Sequence, residues 1–244
     1  MAFQIHAITL DLDDTIWPIA PAIDRAEAAL DAWLGEHAPR TAARWPIDAR
    51  RALRDQVDAE HPHLSHDFTR QRLITLERML HAAGDDLALV PPAFEAYFAA
   101  RCKVEHYDDS LEALQRLAAR MPLAALSNGN ACLQRIGLMH LFAFQLGARE
   151  HGAAKPAASI FHAACAQLSC HPAQVLHVGD DVDLDVVGAA QAGMRTCWIN
   201  RADAAGNARD WPRDDVRPDL EFTTLAALAD WLDASHFALS QNAA

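Results

Sequence analysis

The sequence predicts an α/β protein whose parallel sheet carries helices on both faces and is interrupted, after its first strand, by an all-helical insertion. Three observations support this. Residues 5–12 form a short apolar run rich in Ile and Leu, as a strand buried on both faces requires. Residues 17–104 then show helical patterns and no convincing strand. From about residue 108 onward, strand-like and helix-like segments alternate, and repeated strand–helix units build a parallel sheet with helices packed on either side.

Within the insertion, helices are expected over 21–37, 46–60, 67–84 and 91–102. In the third, Leu73, Leu76, Leu80 and Ala83 recur at steps of three, four and three and mark one apolar face. Pro21, Pro46 and Pro91 lie near helix starts, where a missing N–H does no harm. Gly84 and the two aspartates after it stop the third helix. Beyond the insertion, a helix over 108–120 places Leu111, Leu114 and Ala118 on one side. It is followed by a strand at 121–128, a helix at 131–141, a short strand at 143–148 and a helix at 158–168. A strand at 173–181, a helix at 185–193, a strand at 195–200, a weaker strand at 219–223 and a last helix at 225–234 complete the order. Residues 201–218, rich in charge and small side chains, read as a loop.

Composition narrows the function. The chain has 244 residues, suited to one large domain or a domain with an insertion, and buries roughly 70% of its unfolded surface. A net charge of −12 argues against nucleic acid or an anionic membrane as partner, since both call for clustered Lys and Arg. The five cysteines are odd in number and contain no CxxC pair, which fits reduced thiols in the cytoplasm. The first residues show no basic region or cleavage site, and no apolar run reaches membrane-spanning length. A cytosolic protein is expected.

In an open parallel sheet, ligands bind beyond the carboxyl ends of the strands. The polar residues there are Asp11, Asp13, Asp14 and Thr15 after the first strand, Ser127, Asn128 and Gly129 after the second, and Gly179, Asp180 and Asp181 after the strand at 173–181. Lys155 opens a helix near the same edge. Crowded carboxylates at a buried strand end need a compensating cation, and hard oxygen ligands suit Mg²⁺. Each motif also has a plainer explanation. The aspartates fit a polar turn with Thr15 as a helix cap. Ser127, Asn128 and Gly129 fit a strand-to-helix turn, or a hydroxyl and amide set that holds phosphate oxygens. Lys155 alone fits a surface lysine. Asp183 and Asp185 fit acidity at a helix start, which explains Asp180 and Asp181 less well because they abut the strand. His61, His63 and His66 match no zinc spacing and read as surface residues. Cys165 and Cys170 read as packed thiols. Trp17 fits hinge packing or the rim of a site.

Taken together, DLDDT at 11–15, LSNGN at 126–130, KP at 155–156 and GDDVDLD at 179–185 resemble the four motifs of the haloacid dehalogenase superfamily of phosphotransferases and hydrolases. The likeness covers nearly the whole chain. It implies a Rossmann-like core over 1–16 and 105–244, with a helical C1-type cap domain over 17–104. The stretch 177–201 is similar to a subgroup acting on flavin mononucleotide and ribitylaminouracil phosphates. The resemblance implies an Mg²⁺-dependent phosphatase acting on a small phosphorylated metabolite. Asp11 would be the nucleophile and Asp13 the general acid and base. The Asp11 and Asp180 carboxylates, with the Asp13 backbone carbonyl, would hold the metal. Ser127 and the amide of Asn128 would grip phosphoryl oxygens, Lys155 would balance the charges, and Asp181 or Asp185 would orient Lys155 or metal-bound water. Two rivals share parts of the pattern. A hydrolytic 2-haloacid dehalogenase of the same fold needs neither the metal nor an acid at position 13. A receiver-like phospho-acceptor domain has no helical insertion.

Overall fold

The computed structural model describes residues 4–202 and 206–241. Residues 1–3, where the absence of a leader was read, residues 203–205 of the expected loop, and residues 242–244 lie outside the described residues. Strand β1 (Ala7–Leu10) is buried along its length and leads into five helices: α1 (Ile19–His37), α2 (Pro39–Arg44), α3 (Ile47–Glu60), α4 (Phe68–Ala83) and α5 (Val90–Arg101). The chain returns through α6 (Ser110–Ala118) to β2 (Leu123–Ser127), α7 (Leu133–Ile136), β3 (Phe144–Gly147), α8 (Ala148–His151) and α9 (Ala158–Gln167). Then come β4 (Val175–Gly179), a π-helical turn (Val182–Val187) running into α10 (Gly188–Gln191), β5 (Arg195–Ile199), β6 (Leu220–Phe222) and α11 (Leu225–Gln241).

The six strands form one parallel sheet in the order β3-β2-β1-β4-β5-β6. The chain therefore builds outward on one side of β1 and then crosses to β4 on the other. The carboxyl ends of β1 and β4 flank this switch, where an open α/β sheet leaves a crevice. Alternation along β1 divides the core in two. Ile8 and Leu10 pack with Leu114, Leu117, Leu176 and Leu228. Ala7 packs with Leu126, Ile160, Phe161 and Val175. The inserted helices have a third cluster of their own, built on Leu30, Leu34, Leu76, Leu80 and Tyr97. Each fully buried leucine there contributes on the order of 1.5–3 kcal/mol.

Several expectations shift. On α4 the buried stripe runs through Arg72, Thr75, Leu76, Met79 and Leu80, while Leu73 and Ala83 are only half-buried. Leu76 and Leu80 are buried as expected, and the face extends to Arg72, Thr75 and Met79 instead of Leu73 and Ala83, with Arg72 paired to the buried Glu27 at 2.7 Å. Gly84 does end α4, in the left-handed conformation at φ 71° that glycine adopts without a Cβ penalty. The helix expected at 131–141 breaks into α7 and a 3-10 turn at Gly137, which has φ 89°. The helix expected at 185–193 begins at Val182 as a π turn. The described residues of 201–218 hold no helix or strand. Among the described residues, no helix is long and apolar enough to cross a membrane.

Candidate active site

Asp11 sits at the carboxyl end of β1, its backbone N–H bonded to the Val178 carbonyl at 2.9 Å and its side chain almost wholly buried. Three residues on, the chain turns sharply. Asp14 adopts φ 58°, and its Oδ1 accepts from the Ile19 amide at 2.9 Å, so this third aspartate starts α1 while lining the edge of the crevice. The turn buries Trp17, whose Nε1 donates to Asp13 Oδ1 at 2.8 Å.

Lys155 is buried, not a surface lysine. Its Nζ donates to Asp11 Oδ1 at 2.5 Å and to Asp185 Oδ1 at 2.6 Å. Asn128 fixes the backbone beneath it: the Lys155 amide donates to Asn128 Oδ1 at 2.8 Å, and Asn128 Nδ2 donates to the Lys155 carbonyl at 3.0 Å. Ser127 is buried beside it and its Oγ accepts from the Gly129 amide at 3.0 Å. The four motifs thus converge on one crevice. A cavity of about 270 Å³ there is lined by Asp11, Asp13, Ser127, Lys155, Asp180 and Asp185 among others.

The two acids left open by the sequence do different things. Asp181 caps the π turn, accepting from the Asp183 and Leu184 amides at 2.9 and 2.8 Å. Asp185 is buried against Lys155, and its Oδ2 accepts from the Asp181 amide at 3.1 Å. The plainer explanation of Asp185 as helix-start acidity does not hold: the π turn swings it inward beside Lys155, and capping falls to Asp181. Gly179 permits the close approach, since a Cβ there would lie 2.2 Å from the Asp185 carboxyl.

Charge in the crevice is unbalanced. Lys155 pairs with Asp11 and Asp185, and Asp180 stands near enough that the three carboxylates can bring one oxygen each within 4.8 Å of one another, while the exposed Arg209 reaches Asp180 Oδ2 only at 3.9 Å. Burial works against the charge on Asp185, but Lys155 and His177 outweigh it and hold its carboxyl well below the usual range. Burial pushes Asp11 well above its ordinary value despite Lys155. Burial, then Asp185 and Asp14, push Asp180 up to about 7. Burial also opposes the charge on Lys155, yet Asp11 and Asp185 hold its ammonium above the ordinary range. An all-oxygen set with surplus negative charge is the donor chemistry of a hard divalent cation, so these residues fit Mg²⁺.

Sequence reasoning missed two participants and saw a third only in part. Arg101, the last residue of α5, is buried, and its Nη2 donates to both oxygens of Asp13 at 2.7 and 2.6 Å, while its Nε and Nη1 have no partner. Nothing distinguishes it in sequence from other helical arginines. Trp17 was noticed without its bond to Asp13. His177 lies inside β4 between Thr9 and Asp185. A histidine inside an otherwise apolar buried strand was a legible signal, because a buried polar ring demands partners. Burial, reinforced by Lys155, holds this ring below its ordinary value although Asp185 pulls the other way. His61, His63 and His66 join no carboxylate or cysteine cluster among the described residues. All five cysteines are free thiols, with Cys165 buried.

A parallel α/β sheet thus brings an aspartate, a lysine and a second acidic strand end together at its switch point, with a buried carboxylate at the centre. The chain belongs to the haloacid dehalogenase-like hydrolase family, whose model matches residues 5–193. It is 33% identical to the 5-amino-6-(5-phospho-D-ribitylamino)uracil phosphatase YigB of Escherichia coli, over 92% of this chain and 95% of that one. It is 29% identical to a glyceraldehyde 3-phosphate phosphatase of Methanopyrus kandleri, over 93% and 97%. A solved structure described as a 2-haloacid dehalogenase from Pseudomonas syringae pv. Tomato superposes with a TM-score of 0.86 at 35% identity, covering 95% of this chain and 99% of that one.

Proposed function

We propose that the protein is an Mg²⁺-dependent phosphatase of small phosphorylated metabolites that works through an aspartyl-phosphate on Asp11. The observation that carries this is the surplus of buried carboxylate around a single lysine. A phosphate dianion cannot enter beside Asp11 unless further positive charge is supplied.

Asp11 attacks phosphorus in line with the departing alkoxide, and the P–O bond to the leaving group breaks as the new one forms. Asp13, held by Trp17 and Arg101, gives the alkoxide its proton. It then takes one from the water that hydrolyses phospho-Asp11, a contribution of roughly 10²–10⁴-fold. Ser127 and the Asn128 amide bind phosphoryl oxygens, and Lys155 balances the charge of Asp11. Asp185 orients Lys155, and Asp181 shapes the turn that carries Asp185. The Asp11 and Asp180 carboxylates, with the backbone carbonyl of Asp13, would hold Mg²⁺, which when bound offsets negative charge on the phosphoryl group.

We assign residues 17–104 as a cap domain over a core of 1–16 and 105–244, supported by the separate apolar cluster of the inserted helices. A cavity of about 300 Å³ lined by Asp13, Arg54, Gln71, Arg72, Tyr97 and Arg101 would receive the leaving group. The relatives named for phosphatases support a small phosphorylated metabolite, and the ribitylamino-uracil phosphate of YigB is the first to test. Neither nucleic acid nor membrane is a partner in this proposal, and we place the protein in the cytosol.

The Pseudomonas syringae likeness favours a second function, hydrolytic dehalogenation, which has no use for an acid at position 13 or for Asp180. Phosphate release from a panel of phosphomonoesters, with and without EDTA, and halide release from 2-chloropropionate separate the two. Phosphate release that EDTA abolishes and that Asp11→Asn eliminates is expected. Halide release without phosphate release would overturn the proposal.

A further inference from the structure

Beneath Lys155 runs a line of three buried side chains, Asp185, His177 and Thr9. Thr9 Oγ1 stands 2.8 Å from His177 Nδ1, and His177 Nε2 stands 3.0 Å from Asp185 Oδ1, the same oxygen that takes Lys155 Nζ at 2.6 Å. Lys155 then reaches Asp11 at 2.5 Å. We propose that His177 is a positioning residue, whose ring fixes the Asp185 carboxylate so that Asp185 aims Lys155 at Asp11. The proposal rests on the phosphatase function above and adds a residue to it.

Donor and acceptor rules leave one arrangement. An ammonium only donates, and an ionised carboxylate only accepts. Nε2 must therefore carry a proton, and because burial disfavours the charged ring, Nδ1 is bare and receives the Thr9 hydroxyl. The sheet register enforces this, since Thr9 and His177 are directly opposite on β1 and β4. Phe161 closes the ring in edge-on at 5.1 Å. An apolar side chain would pack equally well against Phe161 and would spare β4 a buried polar group. Its neighbours on the strand, Leu176 and Val178, are both apolar.

What the histidine supplies is the second donor on Asp185 Oδ1. With it, Oδ1 is held by His177 and Lys155 while Oδ2 is held by the Asp181 amide, so the carboxylate plane cannot turn. Without it, only the Asp181 amide on Oδ2 and Lys155 itself on Oδ1 hold the carboxylate, and the ammonium loses part of the support that fixes its angle to Asp11. Rigidly supported groups are what positioning in catalysis depends on.

The test uses two amides that split the ring's two contacts. His177→Gln carries its amide at the Nε2 position and keeps the bond to Asp185. His177→Asn carries it at the Nδ1 position and keeps only Thr9. Steady-state kinetics on p-nitrophenyl phosphate should show kcat down about 10–100-fold for His177→Asn and His177→Phe, with KM changed less than about threefold, and His177→Gln restored to within about threefold of wild type. Thermal melting of all variants serves as control, because a purely structural role would make activity follow stability and leave the two amides alike. Equal kcat loss in Gln and Asn, or wild-type kcat in Phe, would overturn the proposal. Ring ¹⁵N NMR of the wild type decides the geometry whether or not the protein turns over: a neutral ring with its proton on Nε2 is expected, and one with its proton on Nδ1 would overturn it. A wild type inert on every phosphomonoester would instead overturn the phosphatase function.

Discussion

Replacing Lys155 by methionine removes the one cation between Asp11 and Asp185 while keeping nearly the same volume. At separations of 2.5 and 2.6 Å, Coulomb attraction at an effective dielectric of about 20 comes to roughly 6 kcal/mol for each pair. Desolvation of a buried ammonium and two carboxylates offsets much of this. Breaking such an arrangement from one side costs about 3–5 kcal/mol, since charges stay buried without a partner. For a chain of this size, about 2–4 °C is lost per kcal/mol, so melting should fall by roughly 6–20 °C. Calorimetry and urea titration in EDTA measure this without metal. Adding Asp185→Asn to Lys155→Met removes one of the stranded charges and should recover part of the loss. A loss below about 1 kcal/mol, the range of exposed pairs, would refute the view that these charges are buried and interdependent. So would a double variant less stable than the single one.

Asp13→Ala should slow hydrolysis of alkyl phosphates strongly while sparing the first step on p-nitrophenyl phosphate, which needs little protonation. Phospho-Asp11 then accumulates and shows as a burst of nitrophenol in stopped-flow absorbance; equal loss on both substrates without a burst would make Asp13 a structural residue. Asp109 accepts from the Leu225 and Ala226 amides at the start of α11 and pairs with Arg201 at 2.8 Å, so Asp109→Ala should cost about 0.5–2 kcal/mol at pH 7 by denaturant titration. Burial opposes the charge on Asp109, but Arg201 and these amides outweigh it and hold its carboxyl below the ordinary value. Its contribution is therefore present above the unfolded value and fades as pH falls through the folded one, so the gap to wild type should close in acid.

The sequence by itself determined the class of fold and the strand ends at which the candidate residues gather. Periodicity is local: an apolar run, a run of helical steps and then alternation required only neighbouring residues to be read. Asp11, Ser127 and Asp180 could be named because strand ends are visible in sequence and a parallel sheet brings all its strand ends to one edge, and Lys155 through the resemblance of its KP motif. Only the tertiary structure decided who faces whom. Asp181 and Asp185 are equivalent on paper, and the π turn over Val182–Val187 sends one to a cap and the other to Lys155. Arg101 reaches Asp13 across 88 residues, and His177 meets Thr9 through the register of β1 on β4. The physical reason is common to all three. A side chain's partner depends on the direction it takes from the backbone and on which distant element packs opposite, and neither is encoded in the spacing of residues along the chain.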